Sequence, residues 1–158
     1  MPLIIADARP APLMRHLAAI AYDSMLLVAC WIGVGFLFLI LNKGEAITGG
    51  ALHYLLQAAL LVTWLAFYIY FWTRQGQTLG MRAWRLAVAD ENGRPLTTAL
   101  ALKRWCCAFI TCAPAGIGLW WRYLDVDGCT LYDRLSRTRL YLLPTNPYPS
   151  AKKRKNHV

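Results

Sequence analysis

The residue whose placement most limits its chemistry is a carboxylate inside an apolar run. Asp23 is the only charged residue in the 25-residue stretch Leu17–Leu41. A charge near the centre of a membrane-crossing helix costs roughly 2.5–3.5 kcal/mol on insertion scales, so such a group generally has a partner or a task. Two chemistries suit it. One is a protonatable carboxylate in a proton- or cation-coupled path; the other is an acceptor that fixes helix packing. On an antiparallel neighbouring helix Thr63 and Tyr68 fall at comparable depth and could donate to it, and Lys103 or Arg104 could reach it from a third helix.

Arg15 precedes Asp23 by eight residues, which on a helix is ~12 Å of rise and about 80° of rotation. The two cannot pair directly. Arg15 is expected at the membrane boundary, where Asp133 also lies if the chain returns to that side. A bidentate Arg15–Asp133 contact would then satisfy a partly desolvated guanidinium.

Other side chains carry weaker signals. Asp125-Val126-Asp127-Gly128 could begin a calcium loop, but the twelfth position from Asp125 is Ser136 rather than a glutamate, so no calcium site is expected. His16 reads as an interfacial side chain and His53 as an isolated residue near the outer boundary. Gln57 and Thr63 are expected to hydrogen-bond between helices. Of five cysteines, four fall in apolar segments and none forms a CxxC pair, so they read as small buried hydrophobes. No Ser/His/Asp set, phosphate-binding loop or dinucleotide fingerprint occurs, and the expectation is no enzyme, no cofactor and no metal.

The elements that must position these residues follow from composition. The chain has 158 residues, 58% hydrophobic and 16% charged, more apolar surface than one soluble domain of this size could bury. A signal peptide is a poor reading of the first segment, whose apolar core is too long, so it is expected to remain as an anchor. Helix one is predicted from about Met14 to Leu41, after a proline-rich, irregular lead-in. Asn42–Gly50 is a short polar link. Ala51–Trp72, 22 residues without a formal charge, is long enough to cross a bilayer and ends in an aromatic cluster suited to the headgroup boundary.

Thr73–Thr98 is too polar to cross. Within it Trp84–Asp90 reads as a short strand, Glu91-Asn92-Gly93 as a turn, and Gln75–Gly80 as an ordered connector whose glycines permit tight turns. Thr97 or Thr98 can cap a third helix running to Cys112. Ala113-Pro114-Ala115-Gly116 then interrupts the apolar run, leaving pieces at about Thr98–Cys112 and Ala115–Leu124. Arg137–Leu143 offers a further strand.

The net charge of +9 is concentrated at segment flanks, in the N-terminal lead, in 73–98 and in the C-terminal region, with no positive excess in 42–50. That distribution argues against nucleic-acid binding and for three cytoplasmic basic regions. Helices one and two then form a transmembrane hairpin, and the third, Pro/Gly-broken segment turns back as a shallow or re-entrant hairpin packed on protein. A three-pass chain with an external C-terminus is the rival. The fold class is therefore an all-α membrane protein with a small cytoplasmic β-turn element. A domain at 10–143 is followed by a basic, disordered tail at 144–158.

Three patches in this order resemble the RDD family of small bacterial membrane proteins, named for one arginine and two aspartates. They are Met14-Arg15-His16 through Tyr22-Asp23; Gly76-Gln77-Thr78-Leu79-Gly80-Met81-Arg82 followed by Val88 to Pro95; and Leu131-Tyr132-Asp133-Arg134-Leu135-Ser136-Arg137-Thr138. Met81 stands where a basic residue is common. The resemblance implies that Arg15, Asp23 and Asp133 are the signature residues, supported by Gln77, Gly80 and Arg134. It also implies an inner-membrane address and transport of some ligand or ion. Four apolar pieces enclose little space, so transport implies a homo-oligomer. The alternative is a membrane scaffold that holds a membrane-protein partner.

Overall fold

The computed structural model describes residues 9–114 and 116–144. Strand β1 (Arg9–Pro10) leads into helix α1 (Leu13–Leu41), which begins after extended Pro12; a proline there presets the backbone and has no N–H to leave unpaired. Helix α2 (Gly50–Arg74) follows, and the two form a hairpin. At ~1.5 Å per residue both are longer than the ~30 Å hydrocarbon core and can cross it. These are the two helices long and apolar enough to cross a membrane among the described residues. Few of their residues are fully buried within the protein.

The helices touch through aromatic side chains. Trp31 Nε1 donates to the Leu60 carbonyl at 3.0 Å, and its ring meets Trp64 edge-on at 6.4 Å. Trp64 also meets Trp105 at 5.2 Å and Phe109 at 5.8 Å on helix α4 (Thr98–Cys112), so one indole joins three helices. Gln57 and Thr63 do not bridge helices as expected. Gln57 bonds to His53 one turn earlier at 3.0 Å, and the Thr63 hydroxyl bonds to the Ala59 carbonyl at 2.7 Å. A threonine hydroxyl reaches the preceding turn of its own helix more readily than a neighbour.

Below the hairpin lies a small sheet. Helix α3 (Leu79–Ala83), which the sequence suggested only as an ordered connector, leads to β2 (Leu86–Asp90). The turn after β2 closes as expected, with the Gly93 amide on the Asp90 carbonyl and the Asp90 amide on the Arg94 carbonyl, both at 3.0 Å. Thr97 caps α4. The apolar run breaks after α4, and helix α5 (Ile117–Trp120) with the 3-10 turn Trp121–Tyr123 lies at 103° to it. Gly118 permits the return: a Cβ there would lie 2.4 Å from the Thr111 hydroxyl. Helix α6 (Leu131–Ser136), not foreseen, precedes β3 (Thr138–Leu142), which fulfils the expected C-terminal strand.

The sheet order is β1-β3-β2, antiparallel throughout, pairing Arg9 with Leu142 and Leu86 with Leu142. The proline-rich lead-in thus contributes an edge strand, a position where a missing N–H costs least. The main buried cluster sits here: Leu86, Val88 and Leu140 from the sheet, Met81 from α3, and Ala19, Trp72 and Ala101 from the feet of α1, α2 and α4. The core lies under the long helices rather than between them. The expected tail at 144–158 falls outside the described residues except for Pro144.

Candidate functional site

Asp23 lies on the buried stripe of α1, formed by Leu13, His16, Ala19, Asp23 and Leu27. Its partners are neither Thr63 nor a basic residue of α4. Gly76, at φ +65°, turns the chain out of α2, and the Gln77 side-chain amide anchors the connector by donating to the Leu86 carbonyl at 2.6 Å. Thr78 then caps α3, accepting from the Met81 amide at 3.1 Å, and donates its own hydroxyl proton to Asp23 Oδ2 at 2.5 Å. The Gly80 amide donates to Asp23 Oδ1 at 2.8 Å.

This approach requires glycine at 80. A Cβ there would sit 2.3 Å from the Ala19 carbonyl oxygen and 2.9 Å from the Asp23 carboxyl. The Gln77-Thr78-Leu79-Gly80 patch therefore encloses the carboxylate of Asp23. Asp23 is ~15 Å along the helix from Leu13 and meets the sheet-bearing subdomain, so it belongs to the foot of the hairpin rather than its middle.

Asp133 is held from two sides. Thr130 and Asp133 form a reciprocal capping box at the start of α6, each amide on the other's side chain at 3.3 Å. The remaining carboxylate oxygen binds Arg104 Nη1, which also bonds the Thr138 hydroxyl. Ser136 extends the network to Thr138 at 2.7 Å. The Arg104 guanidinium lies 5.2 Å from the ring centres of both Trp72 and Tyr132. It is 1% exposed, fully desolvated and stacked between aromatic faces, where a planar cation is favoured.

The expected Arg15–Asp133 pair is therefore replaced by Arg104–Asp133. The reason is helical phase. Arg15 is one residue before His16, which puts it about 100° off the buried stripe, and it is only partly buried. Arg104 shares a face with Ala101, three residues earlier and packed on the sheet. His16 is also corrected: it is buried, with Nε2 3.1 Å from the Tyr132 hydroxyl. Burial, reinforced by the Asp133 charge, raises the Tyr132 phenol far above its ordinary value, so it stays neutral. The signal for His16 was present in the sequence, because residues seven apart share a helical face and His16 is seven before Asp23.

Arg134 serves a separate surface clamp. Its guanidinium binds Asp125 and, at 3.2 Å, Asp127, which Arg139 also approaches at 3.4 Å. Burial pushes the Asp125 carboxyl up, but the Cys129 amide at 2.8 Å and the Arg134 guanidinium outweigh it and hold the group below the ordinary carboxylate range.

Between the Asp23 and Arg104 clusters is a cavity of about 160 Å³. Six aromatic residues line it: Trp64, Tyr68, Trp72, Trp105, Phe109 and Tyr132. His16, Asp23 and Arg104 are its polar boundary. Three of these lining residues keep a buried nitrogen without a hydrogen-bond partner among the described residues, namely His16 Nδ1, Trp72 Nε1 and Arg104 Nε. An unmade hydrogen bond at a buried group costs about 1–3 kcal/mol, which favours a bound molecule or water that supplies the missing partner.

Of the two expected aspartates, Asp23 thus lines the cavity, and Asp133 binds Arg104 from outside its lining. No match was found among curated proteins or among solved structures. The sequence profile of the RDD family matches residues 10–137, most of the chain, and with the two apolar helices this indicates a membrane protein. The protein belongs to the RDD family.

Proposed function

We propose that the protein is a small transporter module of the bacterial inner membrane, with both termini cytoplasmic, that admits an ion or small solute at the foot of its helical hairpin. The observation that carries this reading is the aromatic cavity bounded by the Asp23 carboxylate and the Arg104–Asp133 pair. Ionisable groups inside a membrane domain generally mark pathways or packing contacts. Arg74, Arg82, Arg85 and Arg94 all fall on the side of the sheet, which the positive-inside tendency assigns to the cytoplasm. The lipid-facing surfaces of α1 and α2 leave room for a second copy or another membrane protein, and an oligomer would supply the enclosure that one narrow bundle lacks. The reading includes neither enzymatic chemistry nor nucleic-acid binding.

A second reading rests on the geometry of Asp23. Each of its oxygens accepts a hydrogen bond from the connector, so the carboxylate also ties α1 to α3, as a scaffold would need. Reconstituted protein separates the two. Transport predicts ion or solute flux in liposomes that Asp23→Asn reduces while the folded protein is retained. If wild type moves no ion or solute tested and copurifies with one stoichiometric membrane partner, the transport reading is lost and the scaffold stands.

A further inference from the structure

The cavity has a chemical polarity that narrows its occupant. Its two charged lining residues are Asp23 and Arg104, and Arg104 is already matched by Asp133. Asp23 accepts only from a hydroxyl and an amide, so its negative charge has no cationic partner among the described residues. A buried carboxylate in that state attracts a cation, and the aromatic walls favour one whose charge is spread over apolar carbon, as in a methylated ammonium.

The unpartnered nitrogens ask for something different. Trp72 Nε1 and Arg104 Nε can only donate, so they require an acceptor. His16 Nδ1 can complete either pattern. A site with an acceptor and aromatic faces for a cation, and donors for an anion, fits a molecule carrying both charges. The volume of about 160 Å³ suits a small organic molecule rather than a bare metal ion, which would leave the aromatic walls without contact.

We propose that this cavity binds a small zwitterion, with its ammonium group toward Asp23 and the aromatic walls and its carboxylate toward Trp72 and Arg104. This deepens the transporter reading by naming the solute class, yet binding at equilibrium does not require that the solute be moved.

Glycine betaine is a suitable probe, with tetramethylammonium supplying the cation alone and acetate the anion alone. Titration into the protein in lipid nanodiscs, followed by calorimetry and tryptophan fluorescence, should show saturable binding of glycine betaine. Tetramethylammonium should bind at least tenfold more weakly and acetate more weakly still. Trp72→Phe keeps an aromatic face but removes the donor, and should weaken glycine betaine far more than tetramethylammonium. Ala108→Phe, which places a ring where a lining methyl now stands, should abolish binding of every probe. Asp23→Asn should remove the preference for cationic probes. Should that variant misfold through loss of the α3 contact, the Trp72 and Ala108 variants still decide the matter.

Absence of saturable glycine betaine binding overturns the proposal. So does tetramethylammonium binding as tightly as glycine betaine, or binding that survives Ala108→Phe. Binding without flux in liposomes sinks transport and leaves the zwitterion site standing; ion flux without probe binding does the reverse.

Discussion

Gly80→Ala is the sharpest test of how Asp23 is held. The added Cβ would lie 2.3 Å from the Ala19 carbonyl oxygen, a backbone atom of α1 that no rotamer change can move. Carbon and carbonyl oxygen settle no closer than about 3.3 Å, so α3 must retreat from α1 by about 1 Å. That stretches the Gly80 amide bond to Asp23 from its present 2.8 Å beyond hydrogen-bond range and draws Thr78 away with it. Bonds to a charged acceptor contribute roughly 1.5–3 kcal/mol each, and partial relaxation keeps some of this, giving an expected loss of about 2–4 kcal/mol.

Read by tryptophan fluorescence in detergent, a loss of that size is a fall of roughly 5–15 °C in melting temperature. Gly33→Ala provides the control. Nothing lies within 4 Å of a Cβ at Gly33, and alanine favours a helix interior, so this variant should melt at or slightly above wild type. If Gly80→Ala melts within about 1–2 °C of wild type, as a few tenths of a kcal/mol would give, the close approach of α3 to α1 and the enclosure of Asp23 are wrong.

Asp133→Asn leaves Arg104 buried without its counter-charge and should destabilise by about 3–5 kcal/mol, seen as lost accumulation of a fluorescent fusion; wild-type levels would refute the pairing. Arg104→Lys should not restore what Arg104→Ala loses, because an ammonium cannot stack between Trp72 and Tyr132 while binding Asp133 and Thr138. Melting of the Arg104→Lys variant at the wild-type temperature would count against that geometry. Arg15→Gln should change stability by no more than a surface substitution does, about 0.5 kcal/mol, whereas a loss matching Asp133→Asn would return Arg15 to the site. For Asp125 the folded-state carboxyl titrates below its ordinary value, so its contribution is complete above that value and fades as the pH falls through the lowered one. Melting followed from about pH 5 to pH 3 should show a decline that Asp125→Asn makes shallower; identical slopes would exclude Arg134 and the Cys129 amide as its cause.

Much of the architecture was legible because lipid-facing helices are marked by composition. Apolar length identified α1 and α2, Thr97 or Thr98 marked the start of α4, and Pro114 with Gly116 marked its end. Strand β2 was expected two residues early, from Trp84, and its Glu91-Asn92-Gly93 turn followed from turn chemistry. The short helices α3 and α6 left weaker traces, since five or six residues display too little periodicity to separate a helix from a connector. Strand β1 is two residues long and ends in proline, and only its pairing with β3 makes it a strand.

Apolar length and the order of three short patches were enough to identify a membrane protein of the RDD family. Which groups meet was settled by packing alone. Arg15 and Arg104 are chemically equivalent in a string of letters. Their difference is helical phase against elements far away in the chain: Arg104 faces α6 and β3, and Arg15 turns aside. Likewise, an aspartate in an apolar run states that a partner is needed, but the partner is a hydroxyl and an amide 55 and 57 residues later. Burial supplies the demand for such contacts, and the packed fold chooses among the residues able to meet it.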